Sequence, residues 1–306
     1  MQKQNNNLKM YHFARILMSI ALTFIFCGII LQLSNIHERV LDPIKDVIPV
    51  NNNDSSIHID KPNNENDSSL EEKVTSSYTE EENKNLKKKI KNKYGITILY
   101  GKDTDYYKIE DIDVISLTDN SMIHDSLIQL EGCLQNYPEG LFQEIRDGGL
   151  PLTIQLVHHF SDINVTGITD SNNSYAKISI SVSHSFEESF YHESYHYIER
   201  YLFKKGANYN TWNAFNPNGF QYGIVDSTLS YSNTFLENSP FVNNYAQMQD
   251  TEDRASTFEY MMAIEKAKCL TEGQTVWKKA TLIARTIEYI LNTVTPSTTE
   301  YWERYL

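Results

Sequence analysis

Cysteine is scarce in this chain, with three residues among 306. Cys27 lies inside an apolar run, leaving Cys133 and Cys269 in the body of the protein, so neither a disulfide framework nor a site of clustered thiolates is implied. Two buried free thiols are expected, with a single Cys133–Cys269 bridge as the alternative that spacing alone does not decide. Basic charge is also short: 27 Lys and Arg stand against 40 Asp and Glu, a formal net charge of −13. That balance argues against a nucleic-acid partner, because phosphate binding draws on cations clustered on one face. The basic run at Lys87, Lys88, Lys89, Lys91 and Lys93 sits beside Asn and Glu and reads as a solvated linker or helix face. No internal repeat is present, and with 40% apolar residues the chain can bury one sizeable core.

One long hydrophobic run does occur. Residues 16–33, ILMSIALTFIFCGIILQL, carry no charge and approach the length of a membrane-spanning helix. Lys3, Lys9 and Arg15 precede the run with no acidic residue among them, which orients the short N-terminus to the cytoplasm and all that follows to the outside. An A-x-A-like cleavage site is missing, and Phe24, Ile25 and Phe26 before Cys27 lack the small side chains of a lipoprotein site. The expectation is a cytoplasmic segment at 1–15 and an uncleaved transmembrane signal anchor at 16–36. Low-complexity sequence follows at 37–93, rich in Asn, Asp, Ser and Glu, which reads as a spacer too polar to offset its ordering entropy. The folded unit is expected at 94–306.

Within that unit the patterns alternate between helix and strand. YGITILYG reads as a short strand, and residues 121–135 carry Ile123, Leu127, Leu130 and Leu134 on one helical face. A short helix at LFQEIRD, a Gly-Gly-Leu-Pro break and a strand at Leu152–Val157 follow. AKISISV at 176–182 alternates as a half-buried strand. In the last helical stretch Val276, Ala280, Ile283, Ile287 and Ile290 form a packing stripe. The class is α+β with a small twisted sheet.

Directly after AKISISV comes SFEESFYHESYHYIERYLFKKG, in which His192, Glu193, Ser194, Tyr195 and His196 match H-E-x-x-H. Residues four apart on a helix point the same way, so two imidazoles can share one zinc ion while Glu193 reaches water beside it as general base. Ser185 and Glu188 fit a capping box, and Lys204, Lys205 and Gly206 fit a helix stop. Catalytic zinc takes three protein ligands. The metzincin continuation is ruled out, since the matching positions hold Glu199 and Leu202. Glu199 stands too far along the axis to ligate, although it can serve in an outer shell.

The remaining candidate carboxylate lies in FVNNYAQMQDTEDRASTFEYMMAIEKAKC, where Asp250 or Thr251 can cap a helix with Glu252 in its first turn and Glu259 two turns later. Here the sequence resembles the zincins of the anthrax lethal-factor catalytic-domain type, a gluzincin-like group that pairs an H-E-x-x-H helix with a later Glu and a Tyr seven residues before it. Tyr245 stands seven before Glu252. The resemblance implies that Glu252 is the third ligand and Tyr245 a phenolic donor to the oxyanion. It departs at Ser256, where the family often has an acidic residue, which makes Glu259 or Asp253 the substitute. Zincins generally also place an edge strand before the metal helix to pair with an extended peptide, a part that falls here to AKISISV.

The adjacent His158 and His159, with side chains on opposite strand faces, are expected as surface or loop residues, as are His124 and His184. The reading that results is a membrane-anchored, extracytoplasmic zinc metallopeptidase acting on peptide or protein, with no fixed oligomeric state. A catalytically silent zinc-stabilised surface binder and a zinc amidase acting on cell-wall peptides remain as alternatives.

Overall fold

The computed structural model describes residues 78–104, 112–162, 164–183, 185–223 and 234–306. The expected anchor at 16–36 and the spacer up to residue 77 lie outside the described residues, as does His184. Among the described residues no helix is long and apolar enough to cross a membrane.

The first described element corrects the expected boundary at residue 94. Helix α1 (Glu80–Tyr94) occupies the end of the stretch read as spacer. Its start is fixed by a capping box, in which the Glu82 amide donates to the Thr79 hydroxyl and the Thr79 amide donates to the Glu82 carboxylate. Its inner face buries Asn83, Ile90 and Tyr94 while the lysines stay outside, so the basic run is a helix face. Asn83 donates to the Asn120 carbonyl at 2.8 Å, and Tyr78 stacks on His124 with ring centroids 3.5 Å apart. The polar composition hid a helix that docks through few residues.

Strands β1 (Thr97–Leu99) and β2 (Val114–Ser116), helices α2 (Asn120–Leu134) and α3 (Leu141–Asp147), and strands β3 (Leu152–Phe160), β4 (Gly167–Ser171) and β5 (Ala176–Ser181) follow. Helix α4 (Phe186–Lys204) comes next, then α5 (Asp250–Met262), the short α6 (Ile264–Ala267) and α7 (Thr275–Ile290). The architecture is α+β with a five-stranded mixed sheet: β3 pairs parallel with β1 and β5 and antiparallel with β2, and β4 lies antiparallel on the outer side of β5.

Two expectations about strands change. AKISIS is not an edge strand but runs between β3 and β4, and its second face is covered too, with Ser179 and Ser181 buried beside Ile178 and Ile180. The edge is β4, whose five residues are all half-buried and show no alternation to read. His158 and His159 do not diverge: their ring centroids stand 4.7 Å apart. The β2–β3 register slips so that Ile115 faces His159 and Ser116 faces Val157, and the bulge at His158 breaks the alternation.

The core is continuous from α1 and α2 through the sheet to α4, α5 and α7, with Leu127, Leu130, Ile154, Ile178, Phe190, Phe258 and Ile283 all fully buried. The stripe of α7 packs against α5 as its spacing predicts. Cys133 and Cys269 are free thiols, Cys133 buried and Cys269 half-buried.

Candidate metal centre

Helix α4 presents the H-E-x-x-H residues. Both its faces are occupied, by β4 and β5 on one side and α5 on the other, so even polar residues on it are buried: His192, Glu193, Ser194 and Glu199 are each under a tenth exposed. Its start differs from the expected capping box. Ser185 is the N-cap but takes a left-handed conformation (φ 39°, ψ 43°) and makes no side-chain cap bond. Glu188 instead pairs with Lys266 at 2.9 Å. Its end matches expectation, with Gly206 at φ 92° and the Lys204 ammonium donating to the carbonyls of Gly149 and Asn173.

Helix α5 starts at Asp250, one residue beyond its N-cap Gln249. Asp250 therefore does not cap it and turns back to Arg254 at 3.0 Å. Glu252 falls in the first turn, where unpaired backbone amides favour a carboxylate, and there it meets both histidines. Its Oε2 lies 3.0 Å from His192 Nε2 and 3.5 Å from His196 Nε2. One nitrogen from each imidazole and one carboxylate oxygen lie within 4.8 Å of one another.

This donor set suits zinc. Two imidazole nitrogens and a carboxylate oxygen are ordinary zinc donors, and bond lengths of about 2.0–2.2 Å put tetrahedral ligand atoms about 3.3–3.6 Å apart. The spacings of 3.0 and 3.5 Å from Glu252 Oε2 to the two imidazoles lie close to that range. The outer shell fits as well: Glu259, on the same helix face as Glu252, has Oε2 3.3 Å from His192 Nδ1. A carboxylate on the second ring nitrogen fixes the ring and leaves Nε2 for a metal. Of the two carboxylates expected to substitute at Ser256, Glu259 contacts His192 and Asp253 pairs with Lys279 instead.

The charges in the centre are strongly coupled. For His192 burial favours the neutral ring, but Glu252 and Glu259 outweigh it and raise its pKa to about 10. Burial would raise the carboxyl of Glu252, yet the two histidines hold it well below the usual carboxylate range. Glu259 is likewise lowered against its burial by His192 and Lys266. A protonated His192 between two carboxylates is the arrangement a divalent cation would replace.

Glu193 lies against β4. Its Oε2 accepts from the Thr169 hydroxyl of β4 at 2.6 Å. Tyr245 opens a single 3₁₀ turn (Tyr245–Gln247) with its ring centroid 5.7 Å from that of His192, and it is 37% exposed at the mouth of the centre.

Two buried ion pairs brace α5. Arg254 bonds Glu199 across to α4, with its guanidinium over the Tyr209 ring at 5.0 Å, so the residue one turn past His196 joins the two site helices. Asp253 Oδ2 accepts from Lys279 at 2.6 Å, Tyr222 at 2.7 Å and Trp212 at 2.9 Å. Thr169, Lys266, Lys279 and Trp212 were not legible as parts of the site. Thr169, Lys279 and Trp212 act through partners 24 to 41 residues away, and Lys266 through Glu259 on the preceding helix.

No protein-family model matches this chain, and no curated protein does. Among solved structures the chain is similar to one from Bacteroides caccae ATCC 43185, provisionally described as a zinc-binding metallo-peptidase. The identity is 12%, the TM-score 0.44, and the match covers 71% of this chain and 98% of that one.

Proposed function

We propose that this protein is a zinc-dependent metallopeptidase that hydrolyses peptide bonds in extracytoplasmic peptides or proteins and is tethered to the membrane by residues 16–36. The observation that carries the reading is the convergence of His192 and His196 from one helix with Glu252 from another, beside a Glu193 that the ligand set does not use. His192, His196 and Glu252 would hold the ion, in a zincin domain of the anthrax lethal-factor type. Bound zinc supplies Lewis acidity, which polarises the scissile carbonyl and makes water acidic near neutral pH.

The protein's own residues do the rest. Glu193 takes a proton from the attacking water and returns it to the leaving amine nitrogen, so one water is consumed and a carboxyl and an amine are released. Oε2 is engaged by Thr169, which leaves Oε1 to carry that proton. Glu259 holds the His192 ring through Nδ1, and the Tyr245 hydroxyl donates to the carbonyl oxygen as negative charge develops on it. The outer side of β4 offers backbone groups to an extended peptide, a mode with little side-chain preference.

The test is metal content and hydrolysis measured together. Wild-type protein is expected to bind one zinc and cleave unstructured peptides, while Glu193→Ala keeps its zinc and loses cleavage. Cleavage retained in that variant would remove Glu193 from its role. A wild-type protein that binds no zinc would return the motif to coincidence.

A further inference from the structure

A row of polar contacts links β4 and the residues flanking it to α4. Ser189 Oγ donates to Thr166 Oγ1 at 2.8 Å, and one turn on Thr169 Oγ1 lies 2.6 Å from Glu193 Oε2 and 3.1 Å from the Glu193 carbonyl oxygen. Further along, Arg200 donates to the Asn173 side chain at 2.8 Å, and Lys204 to the Asn173 carbonyl at 3.0 Å. Strand and helix packing is ordinarily apolar, so a row of hydroxyl, amide and charged contacts marks a fixed register rather than a greasy face.

Gly167 supplies the clearance for that register. A Cβ there would lie 2.6 Å from Glu193 Cγ, closer than real Cβ atoms come, and 3.0 Å from Oε1, so the glutamate would have to shift. Residues 167 and 169 are two apart on a strand and so share the face turned to α4. Glu193 is therefore bounded by β4 on both carboxylate oxygens: Thr169 takes Oε2, and the bare backbone of Gly167 leaves room at Oε1. A hydroxyl carries one proton, and the shorter contact to the charged oxygen is the one it serves.

We propose that Thr169 is the positioning residue for Glu193, fixing the rotamer that presents Oε1 to the reacting water, with Gly167 as the clearance that permits it. The proposal deepens the peptidase reading and rests on it for its catalytic consequence. It also ties two parts of the reaction to one element. Among the described residues β4 is paired on one side only, so the strand that can receive a peptide backbone also sets the direction of the base. Register between scissile bond and base is then fixed within a single strand.

Thr169→Val removes the hydroxyl at equal shape, and Thr169→Ser keeps it. In the purified full-length protein, Thr169→Val is expected to lower kcat by on the order of 10- to 100-fold, the scale of a misaligned catalytic group, with KM and zinc content unchanged. Thr169→Ser is expected to stay close to wild type. A second readout is independent of turnover: a double-mutant cycle of Thr169→Val with Glu193→Ala in thermal unfolding of the zinc-free protein. A hydrogen bond to a charged group predicts non-additivity of about 3–6 °C. Additive unfolding shifts, or Val and Ser variants that behave alike in kcat, overturn the proposal. A wild-type protein that cleaves no peptide but shows the non-additivity removes the peptidase reading while leaving Thr169 as the residue that holds Glu193.

Discussion

Glu259 offers a graded test of the proposed centre because it contacts His192 and lies outside the His192, His196 and Glu252 group that would hold an ion. It is 6% exposed, its Oε2 stands 3.3 Å from His192 Nδ1, and its Oε1 accepts from Lys266. Glu259→Leu leaves the buried Nδ1–H without its acceptor and the imidazole without a neighbouring negative charge, whereas Lys266 keeps Glu188 at 2.9 Å. Loss of such a partner costs about 10- to 100-fold in metal affinity. At about 1.4 kcal/mol per factor of ten, that is about 1.4–2.8 kcal/mol. Glu259→Gln keeps an oxygen to accept from Nδ1–H but loses the charge, and a neutral hydrogen bond is about half as strong as a charged one, so its loss should lie between wild type and Leu. Competition against a chromophoric zinc chelator at fixed pH measures all three proteins, with circular dichroism as the check on folding. If the folded Leu variant binds zinc as tightly as wild type, Glu259 does not support the ligand and the assignment of Nε2 as the donor fails with it.

Lys279→Met should destabilise the protein by about 3–5 kcal/mol, because it strands a charge on Asp253 with both side chains fully buried. Chemical denaturation measures this, and adding Asp253→Asn should recover part of the loss. In the zinc-free protein His192 has a folded pKa of about 10 against an ordinary 6.5, so its stabilising contribution is complete below about 6.5 and is lost as pH rises through 10. Unfolding temperature of the zinc-free form should therefore fall across that window, and a flat profile would contradict the coupling to Glu252 and Glu259. Tyr245→Phe should reduce kcat by about 10²- to 10³-fold, the cost of losing one oxyanion donor, with zinc binding intact. An unchanged kcat would confine Tyr245 to packing beside His192.

Much of the helical content was legible because its signals are local. The spacing 192–196 places two imidazoles on one face of any helix that forms, and LFQEIRD and the stripe of α7 appear where periodicity puts them. The elements misread or left unassigned have the opposite character. Helix α1 is held by a capping box and a few buried residues in a polar sequence, and β4 by pairing with β5 and polar contacts with α4. AKISIS alternates as though half-exposed, yet its serine face is covered too. Alternation reports side-chain polarity, not what packs above the sheet.

The sequence by itself determined the charge balance, the α+β class and the two-histidine face with its enclosed glutamate, since each follows from composition or from spacing within one element, whereas the free state of Cys133 and Cys269 came from the structure. Only the tertiary structure decided which carboxylate completes the donor set, which one braces His192, and which strand meets Glu193. Those pairings join residues separated by 24 to 67 positions, where chain geometry imposes no distance and only the packing of α4 against α5 and β4 brings the atoms together.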